Sequence, residues 1–428
     1  LHRAIAGDAF HDSAERYPQP RCHPEIRTRI LHVLRKWAQG TDPPKNCILW
    51  LHGAAGSGKS AIAQSFCQQL QAKGYLGGSF FFKCGHQSRG NASRLFPTLA
   101  YQLALILPRL NHTISQRVAN DPAIVNRSLS TQLQTLIVEP CRKSGLARPL
   151  TIVIDGLDEC QGHNVQQEIL RSIANVMQKP LPLLFFISSR PEVHIRETFD
   201  EPLLGGVYRG LDVQQSFTDV RKYLRHEFSR IHREHGTMVR VPRPWPSSEV
   251  VEDLVDKSSG YLIYAATITR YIDNRSFRPP DRLKIILGLT KSAVGSPFDM
   301  IDQLYIQILS DAPLEFRPQL LRILTAIVGK VTYYLTPFDL EHLLELQPGD
   351  ISLILRGLHS ISNVPGVESS GSILAHHASF LDFLDSPTRS GPFHIGDSHR
   401  TDLVRYILKA LASTGNDLGL GHVRHVAW

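Results

Sequence analysis

An α/β domain built on a parallel sheet flanked by helices, followed by an all-helical region, is the fold class this sequence predicts. Three observations predict it. Short apolar runs at 48–51, 76–84, 149–154 and 183–187 alternate with stretches of helical periodicity, the pattern of strands buried on both faces of a parallel sheet. After Leu211 the strand signal stops and helical periodicity continues alone to about 330. The first run leads directly into Gly53-Ala54-Ala55-Gly56-Ser57-Gly58-Lys59-Ser60 and then into the helix formers Ala61-Ile62-Ala63-Gln64. Strand, GxxxxGK[ST] and helix in that order are the context a phosphate-binding P-loop requires.

Composition sets the limits. The chain has 428 residues, enough for two to four domains, and its 42% hydrophobic and 20% charged residues are those of a soluble globular protein. Apolar runs stay well short of the ~20 residues that span a bilayer, so no membrane partner is expected. The six cysteines are scattered with no CxxC pair, which favours free thiols in a reducing, cytoplasmic setting over disulfides or a zinc site. The chain begins at Leu1 and reads as an excised piece of a longer protein. The formal charge of +8 concentrates at 27–36 and 221–243. In the second stretch Phe217, Val220, Leu224, Phe228 and Ile231 form one apolar stripe, leaving the basic residues on a solvated face. Nucleic acid is therefore not an expected partner.

Taken in order, residues 1–45 form a lead-in that includes a helix over 27–38 and ends in a Pro-containing break. The P-loop helix runs to about Lys73. A strand at 76–84 follows, then helices near 94–108, 111–120 and 129–145. The strand over 149–154 ends in Asp155-Gly156-Leu157-Asp158-Glu159. A helix at 164–178 leads to the strand 183–187, which ends in Ser188-Ser189-Arg190-Pro191, and 207–211 reads as a fifth strand. Helices are expected at 213–235, 247–257, 259–274, 298–310 and 314–328, with a break at Arg278-Pro279-Pro280. Thr336-Pro337 starts a further helix with an N-cap and proline at its first position. A short helix at 350–358 and two strand-like pieces near 361–364 and 373–375, around a turn at 368–371, suggest a winged-helix module. A final helix covers 397–413.

In a parallel α/β sheet ligands sit beyond the carboxyl ends of the strands. The P-loop, the acidic cluster and Ser188-Ser189-Arg190 each follow a strand and so converge on one edge. Glycines at 53, 56 and 58 open backbone conformations that turn N–H groups toward phosphate. The helix N-terminus adds partial positive charge. The phosphate-binding set is Gly53, Gly56, Ser57, Gly58, Lys59, Ser60 and Ala61. Within it Lys59 reaches the β- and γ-phosphates and Ser60 ligates Mg²⁺. Asp155, at a strand end, is the partner carboxylate for that ion. Glu159 is placed to orient or deprotonate water, and Asp158 can share either job. Arg190 is placed to sense the γ-phosphate.

These segments resemble the Walker A, Walker B and sensor-1 segments of the NACHT family of signal-transducing NTPases. The likeness is to the fungal set similar to the amino-terminal NTPase region of nephrocystin-3-like proteins. His11-Asp12-Ser13-Ala14-Glu15-Arg16, Cys22-His23-Pro24, Ser259 through Ala265 and His377 through Leu384 fit the same family. The resemblance implies an NTPase domain at 46–212, a helical domain at 213–330, a winged helix at 331–390 and a helical segment at 391–428. It also implies that His377, with His376 beside it, contacts the β-phosphate of bound ADP. The expected function is a slow molecular switch on ATP, with GTP as the alternative nucleotide. ADP holds a closed form, and the triphosphate form self-associates in signalling or immunity-like responses. The rivals are a remodelling or transport ATPase with continuous turnover, and a nucleotide-bound scaffold that does not hydrolyse.

Overall fold

The computed structural model describes residues 1–16, 21–22, 25–40, 46–54, 56–214, 216–288, 299–333, 335–355, 358, 361–363, 365, 372–375 and 377–413. Residues 23–24, Ala55, the expected turn at 368–371 and His376 lie outside that set. The chain divides into two compact units, Leu1–Gln214 and Gln215–Trp428.

The first unit is a five-stranded parallel sheet: β1 (Ile48–His52), β2 (Leu76–Phe81), β3 (Leu150–Asp155), β4 (Leu183–Ser189) and β5 (Tyr208–Asp212). Their order is β2-β3-β4-β1-β5. Side chains alternate between faces with period two. Leu49, Leu51, Val153 and Phe186 pack under the helices Thr28–Ala38 and Lys59–Ala72, against Leu34, Trp37, Ile62 and Phe66. On the other face Trp50, Ile152, Ile154, Phe185 and Ile187 meet the helices Leu95–Ile106 and His163–Met177. Apolar burial on both faces explains why these strands read as continuous runs.

Two details of the first unit differ from expectation. β2 stops at Phe81, because Lys83 N–H turns back to the Arg89 carbonyl and opens a loop. A short helix, Val193–Phe199, follows β4. It is only seven residues long, and its Ile195 and Phe199 are buried, the latter stacked on Trp50 with ring centroids 4.2 Å apart.

The second unit holds the helices Phe217–Glu234, Ser248–Lys257, Leu262–Ile272, Asp299–Ser310 and Arg317–Val328 close to their expected places. Arg278-Pro279-Pro280 does not merely break the chain. Pro279 opens the helix Pro279–Gly288, since proline is tolerated in a first turn whose N–H groups lack partners anyway. Thr336 and Asp339 form a reciprocal capping box on the helix Pro337–Leu343. The helix Asp350–Ile354 precedes an antiparallel pair, β6 (Ser362–Asn363) and β7 (Leu374–Ala375). The helices Ala378–Asp385, Pro387–Ser390 and Asp397–Ser413 follow. One continuous apolar core links Val220, Tyr271, Tyr305, Leu340, Phe380 and Leu403. Among the described residues no helix is long and apolar enough to cross a membrane.

Candidate functional site

The strand order decides which loops meet. β4 is inserted between β1 and β3, with Trp50 and Ile154 both in register with Ile187. The loops that leave β1, β3 and β4 at their carboxyl ends are therefore neighbours.

The loop after β1 has the shape its glycines predict. Gly56 and Gly58 sit at φ of +74° and +91°, left-handed conformations that cost a side-chain-bearing residue about 1 kcal/mol or more. Gly53 is needed for space. A Cβ there would lie 3.1 Å from both Ser57 Oγ and the Val213 carbonyl. Lys59 and Ser60 open the helix Lys59–Ala72, and Ala61 follows in its first turn. Lys59 Nζ donates to the carbonyls of Gly53 (2.7 Å) and Ala54 (2.9 Å), which holds its charge over the loop. Burial lowers its pKa, with Asp158 opposing. Ser57 Oγ is buried without a hydrogen-bond partner. A pared-down loop, an orphaned hydroxyl and an ammonium group fit a polyphosphate.

Asp155 ends β3 fully buried. Ser60 and Ser188 donate to its carboxylate while burial pushes its pKa up. Ser60 thus joins the P-loop helix to the acidic strand, the hydroxyl–carboxylate pair that fits Mg²⁺. The Ser188 hydroxyl also accepts the Gly156 N–H at 3.3 Å.

The two following carboxylates separate into different environments. Asp158 accepts the Arg190 backbone N–H at 3.0 Å and faces Arg190 Nε at 3.4 Å. It is tied to the end of β4. Glu159 accepts the Cys84 N–H at 3.2 Å. Burial, reinforced by Asp158, pushes its pKa up to about 7, where a carboxylate can exchange protons near neutral pH. Lys83, beside Cys84, is itself lowered to about 8 by burial and by Arg89, with Glu159 opposing.

The lead-in supplies two residues the sequence did not single out by role. Arg27 is buried and left-handed at φ +57°. Its guanidinium donates to the Ser57 carbonyl at 3.0 Å and to the Gln214 carbonyl at 2.8 Å, bracing the P-loop from behind. Arg16 lies 3.6 Å over the Phe81 ring, and burial lowers its pKa to about 10, with Asp155 the main opposing charge. His11 explains the remainder of that motif: its N–H donates to Ser79 Oγ at 3.0 Å and its carbonyl accepts from Gln64 at 2.6 Å. Arg16 closes the His11–Arg16 motif without its role being legible there, and Arg27 has no local sequence signal, because their partners lie far along the chain. Asp8, Glu15 and His86 also gather within 4.8 Å of one another, with Ser88 bonded to both Asp8 and His86.

His377 belongs to the second unit, where it caps the helix Ala378–Asp385. On the helix Phe217–Glu234 the basic residues are matched by acids: Arg221 to Glu252 at 2.6 Å, and Arg230 to Glu227 and Asp273 at 2.8 Å each.

Residues 31–190 match the family model described as nephrocystin 3, N-terminal. With the loop, strand order and acidic strand end above, that match decides the class of the first unit. It is a P-loop NTPase. Among solved structures, the Walker-type ATPase PABY2304 of Pyrococcus abyssi is similar at 15% identity, covering 88% of this chain and 99% of that one, with a TM-score of 0.42. Cdc6p from Pyrobaculum aerophilum is similar at 13% identity, over 94% of this chain and 100% of that one, with a TM-score of 0.34. AMPPCP-bound DnaA from Aquifex aeolicus follows at 10% identity, 93% of each chain and a TM-score of 0.33. No curated protein matches.

Proposed function

We propose that this protein is a nucleotide-operated switch of the NACHT type, binding ATP·Mg²⁺ and hydrolysing it slowly. The observation that carries this reading is the edge where Lys59, the Ser60–Asp155 pair, Glu159 and the Asp158–Arg190 pair follow neighbouring strands. In this reading the P-loop amides and Lys59 bind the β- and γ-phosphates. Ser60 and Asp155 hold Mg²⁺, which when bound neutralises charge on the transferring phosphoryl group. Glu159 takes a proton from water, and its raised pKa suits that task. Arg190, fixed by Asp158, faces the γ-phosphate. His377 of the second unit contacts the β-phosphate of ADP and holds a closed form, and the triphosphate form self-associates.

Steady-state turnover tests this reading. A switch hydrolyses at about 10⁻² s⁻¹ or slower, the range of unassisted P-loop switches. Continuous turnover at 1 s⁻¹ or faster (roughly a hundred times that range) would move the assignment to a remodelling ATPase.

A further inference from the structure

A cavity of about 240 Å³ lies within the second unit, walled by the helices Arg317–Val328 and Asp397–Ser413 and by Leu344, which follows the helix Pro337–Leu343. About eight waters would fill it at ~30 Å³ each. It is smaller than the pockets of ~300–1,000 Å³ that take drug-sized ligands, so an occupant has to be small. Leu321, Leu344 and Leu403 make its wall apolar, while Arg322, His399 and Tyr406 add polar groups. His399 Nδ1 is buried without a hydrogen-bond partner, so the wall holds polar capacity that the fold itself does not use.

Arg322 decides what that occupant is. Its Nη1 donates to the Leu344 carbonyl at 3.3 Å, and its Cζ lies 5.4 Å from the centre of the Tyr406 ring. The other edge of the guanidinium, Nε and Nη2, makes no hydrogen bond among the described residues. Elsewhere in this chain the same edge grips a carboxylate with two nitrogens: Arg171 on Glu201, Arg221 on Glu252 and Arg389 on Asp302, at 2.6–3.1 Å. The acids near Arg322 are already matched. Asp402 pairs with Arg405 at 2.8 Å. Glu345 is bonded to Lys409, which lowers its pKa, and the Arg322 charge adds to that without a bond. Thr325 spends its hydroxyl hydrogen on the Leu321 carbonyl at 2.6 Å. What the wall has to spare is one positive, fork-shaped donor beside leucine side chains. A planar carboxylate matches such a fork with two parallel bonds.

We propose that this cavity is a binding site for a small apolar monocarboxylate, whose carboxylate takes the open edge of Arg322 and whose body lies against Leu321, Leu344 and Leu403. Because the helices Arg317–Val328 and Asp397–Ser413 share the wall, the bound acid fastens the second helix to the first. The site uses none of the nucleotide machinery of the first unit, so it stands apart from the switch reading.

The test uses the full chain with phenylacetate, isovalerate and hexanoate, each compared with its own primary amide. Saturation-transfer NMR detects binding, and titration calorimetry ranks it. At least one acid binds at millimolar concentration or below, and its amide binds about ten- to a hundredfold more weakly, the worth of a charge-assisted contact. That comparison needs no variant. Arg322→Gln loses the same factor for the acid, and Arg322→Lys recovers only part of it, because a point charge lacks the fork. Leu321→Trp fills the cavity and removes binding, whereas Asp402→Asn keeps the preference for acid over amide. Hydrogen exchange of the amides at 397–413 slows several-fold when the acid binds wild type and stays as it was in Arg322→Gln. Melting curves near wild type confirm that the variants are folded. No binding by any of the three acids at millimolar concentration, equal affinity for acid and amide, or undiminished affinity in folded Arg322→Gln overturns the proposal. Binding that survives Leu321→Trp, or exchange at 397–413 that the bound acid leaves unchanged, contradicts it as well.

Discussion

The two units of this chain carry their chemistry in opposite ways. In the first, the central device is eight consecutive residues. The loop from Gly53 to Ser60 presents its own backbone, and two of its glycines, Gly56 and Gly58, adopt left-handed angles. In the second, the candidate device is a single side chain, His377, which caps the helix Ala378–Asp385 and whose Nδ1 accepts the Ser379 N–H at 3.0 Å. A contiguous backbone device can be read from spacing. A side chain positioned by its surroundings cannot, and its role comes from resemblance until its contacts are known.

Substitutions in the first unit should break function through chemistry or charge. The largest expected effect is Glu159→Gln. It should bind ATP·Mg²⁺ normally and lose about 10²- to 10⁴-fold in hydrolysis, the usual worth of a general base. Wild-type turnover should also rise with pH through about 7, because the base acts deprotonated and its pKa is raised. A flat profile from pH 6 to 8, or Asp158→Asn as the variant that traps ATP, would reassign the base. Lys59→Ala comes next. Its triphosphate affinity, measured by titration calorimetry, should fall about ten- to a hundredfold with melting behaviour near wild type, since one charge-assisted contact is worth about 1.5–3 kcal/mol.

In the second unit the same magnitude should appear as a shift of conformational balance. His377→Ala should release ADP about ten- to a hundredfold faster and self-associate more readily with ATP. His376→Ala should do little. Equal release rates for both variants and the wild type would leave the second unit without its latch.

The smallest effect sharpens the contrast, because it concerns a side-chain device inside the first unit. Arg27→Lys keeps a charge but loses the planar fork that reaches Ser57 and Gln214 together. Nucleotide affinity should fall only a few-fold, with the net worth of one ordinary hydrogen bond. An affinity as low as that of Lys59→Ala would mean that the loop is not self-sufficient.

The same division explains what was legible in the sequence. The sheet strands, the P-loop helix and the final helix Asp397–Ser413 follow local periodicity, and the Thr336 cap follows local chemistry. The helix Pro279–Gly288 was hidden because two prolines signal a break and a helix start equally well. At the site, the residues expected from the motifs lie at neighbouring strand ends. Four features had no signal: the Arg27 brace, the Cys84 N–H on Glu159, the Ser188 hydroxyl on Asp155 and the Asp158–Arg190 tie. Each is a contact across at least 30 residues, set by strand order, and no local pattern encodes it.

The most direct test of the central claim is the nucleotide carried by the purified protein. Denaturing the freshly purified full chain and separating what it releases by chromatography should yield ADP, close to one per chain, with ATP exchanging in only when Mg²⁺ is present. Release of no nucleotide, together with no measurable affinity for ATP or GTP in the presence of Mg²⁺, would contradict the account.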